Sequence, residues 1–399
     1  MLLIAAIACT PSADEAEVPV SLVVPLRWTA EPGGITWEEA EAGLAWSLSN
    51  LGALPPRDGW LTVVYSDEHT TLFEVDLEQV GFDPMAMEAL QSAVTPIVQS
   101  DELQTLGAVD VGRFLMRTLY SPWRYYSITG ACTNVSDWMT LSQSGFVEQY
   151  GVTVSLLTAE DRRLTLNEGP WDSIDQIGFS ARSGEGVIAE PETTLEVEVI
   201  DLMSNGQQRY AVFDIDGMLA PAADPEVISA GQPGKCMWCH EGSLMTGTPV
   251  NPTSRPHLSY PEWSARISRM QSLLETHRYD LDTSVDFFDD DRTHTHGELL
   301  TREFLYPTPA RMQREWGISS EDLSEVLRNN NVSTTLDVEY PERGPVLERA
   351  DLDAVYAAEL AEPGHIPLTI LTDDRNAPPL DAVLDGEAER LTLPQCWKP

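Results

Sequence analysis

From about residue 124 to residue 217, hydrophobic and polar residues alternate, and this period of two constrains the fold more than any other feature of the sequence. Leu195, Val197 and Val199 alternate with glutamates, which is typical of a strand with one buried and one solvated face. The dipeptide Asn205-Gly206 separates this stretch from residues 210–213 and favours a tight turn between antiparallel strands. The sequence therefore predicts an antiparallel sheet.

Helical signals precede the alternating region. Thr36 and Glu39 form a Thr-x-x-Glu capping box, which opens a helix that runs to about Leu51. Asp83 followed by Pro84 is typical of an N-cap with proline at the first helical position. We therefore expect residues 20–220 to form an α+β domain, in which an antiparallel sheet, single or folded into a sandwich, packs with a few helices.

Helical signals also follow it, beyond the Pro- and Ala-rich residues 221–225. Ser259 and Glu262 form a second capping box, and further helices are predicted to open at Thr308 and Ser319. We expect residues 226–330 to be mostly helical. Residues 331–399 are expected to form an extension that packs back on the first domain.

The charge balance limits the classes of partner. The chain has 64 acidic and 24 basic residues, which gives a formal net charge of −40. Such a surface repels nucleic acid and anionic lipid headgroups and attracts basic proteins. The sequence therefore predicts no nucleic-acid partner. The charge serves either to keep the protein soluble or to attract a basic redox partner protein.

One short motif carries recognisable chemistry. Residues 234–240 contain the pattern C-x-x-C-H, formed by Cys236, Cys239 and His240. Two thiols at this spacing can form thioethers with the two vinyl groups of one haem, and the next residue can direct its imidazole at the iron.

Two other chemistries use similar residues. A structural zinc site needs four ligands, and His294 and His296 could contribute, although their spacing would place them on opposite sides of a strand. A redox dithiol normally follows a hydrophobic strand, whereas residues 228–235 are loop-like. The residues therefore favour haem over both alternatives.

With this motif, the segment resembles the c-type cytochromes, over residues 226–330 at most. The resemblance implies one haem c, with thioether bonds to Cys236 and Cys239, His240 as an axial iron ligand, and electron transfer to a redox partner protein as the activity. A haem enzyme or gas sensor with an open distal position is one alternative. A ligand-binding lipoprotein with a structural metal site is another.

The second axial ligand is left open by the sequence. His/Met ligation raises the reduction potential of a haem, and histidine is the other common choice. The candidates downstream of the motif are Met245, His257, Met270, His294, His296 and Met312.

The first 19 residues resemble an export signal followed by a tether. A short apolar run ends at Ala8-Cys9, which resembles a bacterial lipoprotein cleavage site with Cys9 as the lipidated residue. The run is too short for a bilayer span, which needs roughly 20 residues. We therefore expect an exported protein of the periplasm or outer membrane, attached to the membrane through lipid only.

Two of the five cysteines remain after these assignments. Cys132 and Cys396 are expected to form a disulfide in an oxidising compartment.

Overall fold

The structure is a computed structural model. The described residues are 22–141, 148–152, 161–166, 171–184, 194–223, 233–240, 243–244, 258–288, 293–337, 340–349, 351–352 and 396–397. Strands and helices share the first half of the chain and helices dominate the second, which confirms the predicted α+β class.

The first sheet has four strands in the order β2-β3-β1-β4. Their bounds are β1 Val23–Thr29, β2 Leu61–Ser66, β3 Thr70–Asp76 and β4 Val109–Asp110. β1 is antiparallel to β3 and parallel to β4. Every second residue of β1 is buried, because one face of this sheet packs against helices.

Six helices accompany this sheet. They are α1 Trp37–Ser49, α2 Pro84–Val98, α3 Asp101–Leu106, α4 Val111–Arg117, α5 Pro122–Thr129 and α6 Val135–Leu141. The predicted capping box opens α1: the Thr36 backbone N–H donates to the Glu39 carboxylate at 2.7 Å, and the Glu39 N–H donates to the Thr36 hydroxyl at 3.3 Å. Asp83 caps α2 as predicted.

The second sheet is an antiparallel meander of six strands in the order β10-β9-β8-β7-β6-β5. Their bounds are β5 Glu148–Val152, β6 Asp161–Leu166, β7 Gly178–Gly184, β8 Thr194–Leu202, β9 Gln208–Phe213 and β10 Leu219–Ala220. The predicted turn joins β8 to β9, and Gly206 takes a φ of 81° there, which glycine adopts without strain.

One expectation for β8 is wrong. Its glutamates were predicted to lie on a solvated face, yet Glu196 is only 2% exposed, while Leu195 on the opposite face is 36% exposed. Both faces of this sheet carry packed side chains. Val197 and Val199 belong to the main core, whereas Leu202, on the same face as Glu196, belongs to a second core.

The described residues of the second half are mostly helical, which agrees with the prediction for this part of residues 226–330. This half contains α7 Pro233–Cys239, α8 Tyr260–Tyr279, α9 Thr293–Leu305, α10 Pro309–Trp316 and α11 Ser320–Asn329, with a short pair of strands, β11 Thr335–Leu336 and β12 Pro345–Val346. Capping side chains open α8, α10 and α11 at the predicted residues Ser259, Thr308 and Ser319. Within the described residues, no helix is both long and apolar enough to cross a membrane.

The helical half shares the main core with the first half. Met237 of α7 and Leu300 and Phe304 of α9 are buried in the same cluster as the first sheet and α1. Helices α1 and α9 cross closely, because a Cβ at Gly43 would lie 2.7 Å from the backbone nitrogen of Gly297. The second core lies between α8 and the face of the second sheet that carries Leu166 and Leu202.

The end of the chain returns to the first half. Cys132 and Cys396 form a disulfide, the pairing expected from the cysteine count, with their Cα atoms 4.4 Å apart. Trp397 packs on Gly130, which has a φ of 68° and no room for a Cβ beside the indole. The last described residues are therefore part of the folded core.

Candidate functional site

Helix α7 brings the three motif residues onto one helical turn. Cys236 and Cys239 lie three residues apart in this helix, and the His240 backbone N–H donates to the Cys236 carbonyl at 2.9 Å. Residues at positions i, i+3 and i+4 occupy the same face of a helix. The backbone therefore places two thiol-bearing residues and one imidazole-bearing residue side by side.

The buried face of α7 adjoins this motif face. Gly234 and Met237 are buried against the main core, and a Cβ at Gly234 would lie only 2.5 Å from the Leu119 carbonyl oxygen. Cys236 and His240 are half-buried. The helix is thus anchored by one face while the motif lies at the margin of the core, where a planar cofactor could reach it.

Strand β9 holds the end of the motif. The buried Gln208 side-chain amide donates to the His240 carbonyl at 3.2 Å and to the Ser243 carbonyl at 3.0 Å. The Tyr210 hydroxyl donates to the same His240 carbonyl at 3.4 Å, and the Tyr210 and His240 ring centroids are 5.9 Å apart. Two neighbouring side chains of one strand therefore fix the backbone and limit the ring orientation of His240.

Helix α5 supports β9 from behind. The Tyr125 hydroxyl accepts the Tyr210 backbone N–H at 3.0 Å, and the Tyr126 hydroxyl accepts the Val212 N–H at 3.3 Å and donates to the Ala220 carbonyl at 2.8 Å. Burial raises the pKa of both tyrosines, and this effect exceeds the lowering by the backbone N–H group that each hydroxyl accepts. Both hydroxyls therefore stay protonated at neutral pH and remain close to the motif.

With this geometry in place, the chain can be compared with known proteins. Family models, curated proteins and solved structures give no match to it. The interpretation of the site therefore rests on its own residues.

The chemistry of the donor set fits haem c. Two thiols three residues apart suit the two vinyl groups of one haem, and an imidazole directly after the second thiol suits axial ligation of its iron. A zinc site would need four ligands. Among the described side chains, no group of three or more His, Cys, Asp and Glu residues could hold a metal ion.

The candidates for the second axial position lie in different parts of the fold. Met312 is fully buried in a third core, separate from the main core that contains Met237 of the motif helix. Met270 is fully buried in the second core, which also contains Leu244, four residues after His240. His294 and His296 lie in α9, a helix and not a strand, and His296 Nε2 is 3.6 Å from Glu39 Oε1. Met245, His257 and Cys9, and the side chains of His294 and Cys239, lie outside the described residues.

A buried ion pair connects β9, the strand that contacts His240, to β8. Arg209 of β9 binds both carboxylate oxygens of Asp201, at 2.8 and 2.6 Å, and also donates to the carbonyls of Thr129, Gly130 and Trp397. This one guanidinium therefore connects β8, α5 and the end of the chain. Its position explains how the disulfide-linked terminus is held against the sheet that supports the motif.

A second polar cluster lies around α10. Arg311 contacts Asp110 and Glu315 at 2.6 Å, and Arg349 binds Glu315 at 2.7 and 3.1 Å. Burial alone would raise the pKa of Glu315, but Arg349 and Arg311 hold it well below its usual range. These ion pairs connect α10 to Asp110 of β4 and to Arg349, so their role is structural.

Sequence reasoning missed Gln208, Tyr210 and Tyr125 as parts of the site. No local pattern marks them, because Gln208 contacts a carbonyl 32 residues away and Tyr210 a hydroxyl 85 residues away. Trp123, Tyr125 and Tyr126 form an aromatic cluster in the sequence, but packing at a helix end explains such a cluster equally well.

Proposed function

We propose that this chain is an exported c-type cytochrome that binds one haem covalently and transfers electrons at the bacterial cell envelope. The observation that carries the proposal is the placement of Cys236 and Cys239 on the last turn of α7, with His240 directly after it and bonded through its N–H to the Cys236 carbonyl. This spacing and order match the chemistry of thioether formation followed by axial ligation.

The residues around the motif suit a rigid cofactor site. Haem c, when bound, supplies an iron that gains and loses one electron. Cys236 and Cys239 would hold its vinyl carbons, and His240 would bind the iron. Gln208 and Tyr210 would keep the His240 backbone and ring in one orientation, which supports fast electron transfer because little reorganisation accompanies the change of charge.

Export and lipid attachment complete the proposal. The Cys132–Cys396 disulfide suits an oxidising compartment such as the periplasm, and Cys9 would carry the lipid. The net charge of −40 favours a basic redox partner and disfavours nucleic acid.

A second candidate function is a haem enzyme or gas sensor with an open distal position. The burial of Met312 in a core separate from that of Met237 favours it, because it removes one of the candidates for the second axial ligand.

The deciding experiment is production of the full chain in a periplasm with cytochrome c maturation, followed by a pyridine haemochrome spectrum and a haem stain after denaturing electrophoresis. We expect a spectrum typical of two thioether links. Cys236→Ala and His240→Ala should reduce haem content strongly, while His277→Ala, at a histidine bonded to the Ser204 carbonyl, should not.

The spin state then separates the two candidates. A low-spin, six-coordinate haem supports electron transfer, and a high-spin, five-coordinate haem supports the open distal position. A folded protein without covalent haem would contradict both, and its zinc content would then be measured.

A further inference from the structure

Strand β2 forms an open edge of the first sheet. Among the described strands, only β3 pairs with it. It is also the most exposed strand of this sheet, since residues 62–66 are all exposed. The outer edge of such a strand presents backbone N–H and C=O groups that can pair with another strand.

The side chains of β2 are unusual for an exposed edge. Val63, Val64 and Tyr65 are 45%, 63% and 52% exposed. Proteins normally protect an open edge with lysine, proline or a very short strand, because apolar edges attract other chains. β2 has six residues and contains neither lysine nor proline. Its one protective feature is a β-bulge, in which Val64 is the extra residue and the most exposed of the three.

The surroundings of this edge are acidic. The exposed carboxylates nearest to it in the chain are Asp58, Asp67, Glu68, Glu74 and Glu78. Glu74 lies directly opposite Thr62 on β3. Backbone N–H groups of His69 and Thr70 and the Tyr65 hydroxyl donate to Asp67, which lowers its pKa and keeps it charged. The neighbouring cation, Arg57, already binds Asp282 at 3.0 Å.

These features together define the partner. An apolar edge selects an extended segment that supplies its own backbone hydrogen bonds, and an acidic rim selects positive charge. A second copy of this chain fits poorly, because each copy carries a net charge of −40 and would bring the same acidic rim.

We propose that β2 binds a basic, extended segment of a partner protein, which adds to the first sheet as an outer strand beside β2. Lysine or arginine side chains of the segment would contact the acidic rim, and its apolar side chains would cover Val63, Val64 and Tyr65. This proposal does not depend on haem binding, because no residue of the motif takes part in it.

The test uses the full chain and a short peptide of alternating lysine and valine. A second peptide carries an N-methyl group at every residue, which keeps the charge but removes the backbone donors along both edges of the strand. We expect the first peptide to bind about tenfold or more tightly than the second, and its binding to weaken as salt is added.

Matched variants locate the binding. Val64→Lys adds a repelling charge to the edge without disturbing the core, so it should weaken peptide binding by about tenfold or more. Ile215→Lys makes the same change at a residue that is 69% exposed elsewhere, and it should change binding by less than about threefold. Thermal melting of both variants verifies that they fold.

Three outcomes would overturn the proposal. Equal binding of the two peptides would mean that only charge attracts them. Equal binding by Val64→Lys and the parent chain would place the peptide elsewhere. A dimer in sedimentation velocity that Val64→Lys converts to monomer would mean that a second copy occupies the edge.

Discussion

Burial changes the pKa of individual side chains in this protein, and Glu303 is one example. Its Oε1 accepts the Ile35 N–H at 3.1 Å, and Oε2 has no hydrogen-bond partner among the described residues. Burial and the neighbouring charge of Glu31 raise its pKa to about 7, against the opposing effect of Arg311. Glu303 is therefore protonated in the folded protein over a pH range in which it ionises in the unfolded chain.

This raised pKa predicts a pH dependence of stability. The folded state binds an extra proton between about pH 4.5, the usual value, and about pH 7, so the free energy of unfolding falls as pH rises through that window. The shift corresponds to about 3 kcal/mol. Urea unfolding at a series of pH values should show that Glu303→Gln flattens the slope. The exposed Glu321→Gln serves as the control, and an unchanged slope in Glu303→Gln would contradict the assignment.

Gln208 is the second residue with a specific expected effect. Gln208→Leu removes both hydrogen bonds that hold the His240 and Ser243 carbonyls, which should cost about 1–3 kcal/mol. Hydrogen exchange over residues 240–244 should become faster whether or not haem is bound. The exposed Gln79→Leu is the matched control, and unchanged exchange in Gln208→Leu would show that β9 does not hold the motif.

Whole elements are positioned by close backbone approach as much as by apolar burial. The crossing of α1 and α9 is one such case, since a Cβ at Gly43 would lie 2.6 Å from the His296 carbonyl carbon. This contact draws α9 into the main core, where Leu300 and Phe304 are buried. The residues that follow the motif along the chain are therefore packed on the first helix.

Because of this close crossing, we expect replacement of Gly43 by alanine to lower the free energy of unfolding instead of raising it. Glycine to alanine in an exposed helix interior stabilises by about 1 kcal/mol, but Gly43→Ala should destabilise by about 1–3 kcal/mol because the new methyl group overpacks the interface. Denaturant unfolding measures the sign. The exposed Glu38→Ala in the same helix is the control, and stabilisation by Gly43→Ala would show that the helices are not in close contact.

At the scale of the whole molecule, the disulfide connects distant parts of the chain. Cys132 and Cys396 are separated by 264 residues, and the guanidinium of Arg209 binds the adjacent Trp397 carbonyl at 2.7 Å. A cross-link over a loop of this length restricts the unfolded chain, and the entropy model predicts a stabilisation of roughly 5 kcal/mol.

The double variant Cys132→Ala/Cys396→Ala should therefore unfold at markedly lower denaturant concentration, and hydrogen exchange near Gly130 should increase because Trp397 is released. Arg209 should still limit the loss. An unchanged unfolding midpoint, with Trp397 still protected, would mean that the ion pair and indole packing hold the terminus without the disulfide.

Short-range signals in the sequence predicted many of the elements and the chemistry proposed for the motif. Capping side chains, the Asn205-Gly206 turn and the C-x-x-C-H spacing each act within a few residues, so they can be read without knowing the fold. The α+β class followed from the change of hydrophobic period along the chain.

Tertiary structure alone decided which faces are covered and which groups meet. The buried position of Glu196 on a predicted solvated face, the Gln208–His240 contact and the Ile35–Glu303 hydrogen bond join residues or surfaces that no local pattern relates. Ile35 and Glu303 are 268 positions apart. Such contacts depend on how whole elements pack, and packing is a property of the complete set of apolar faces rather than of any one segment.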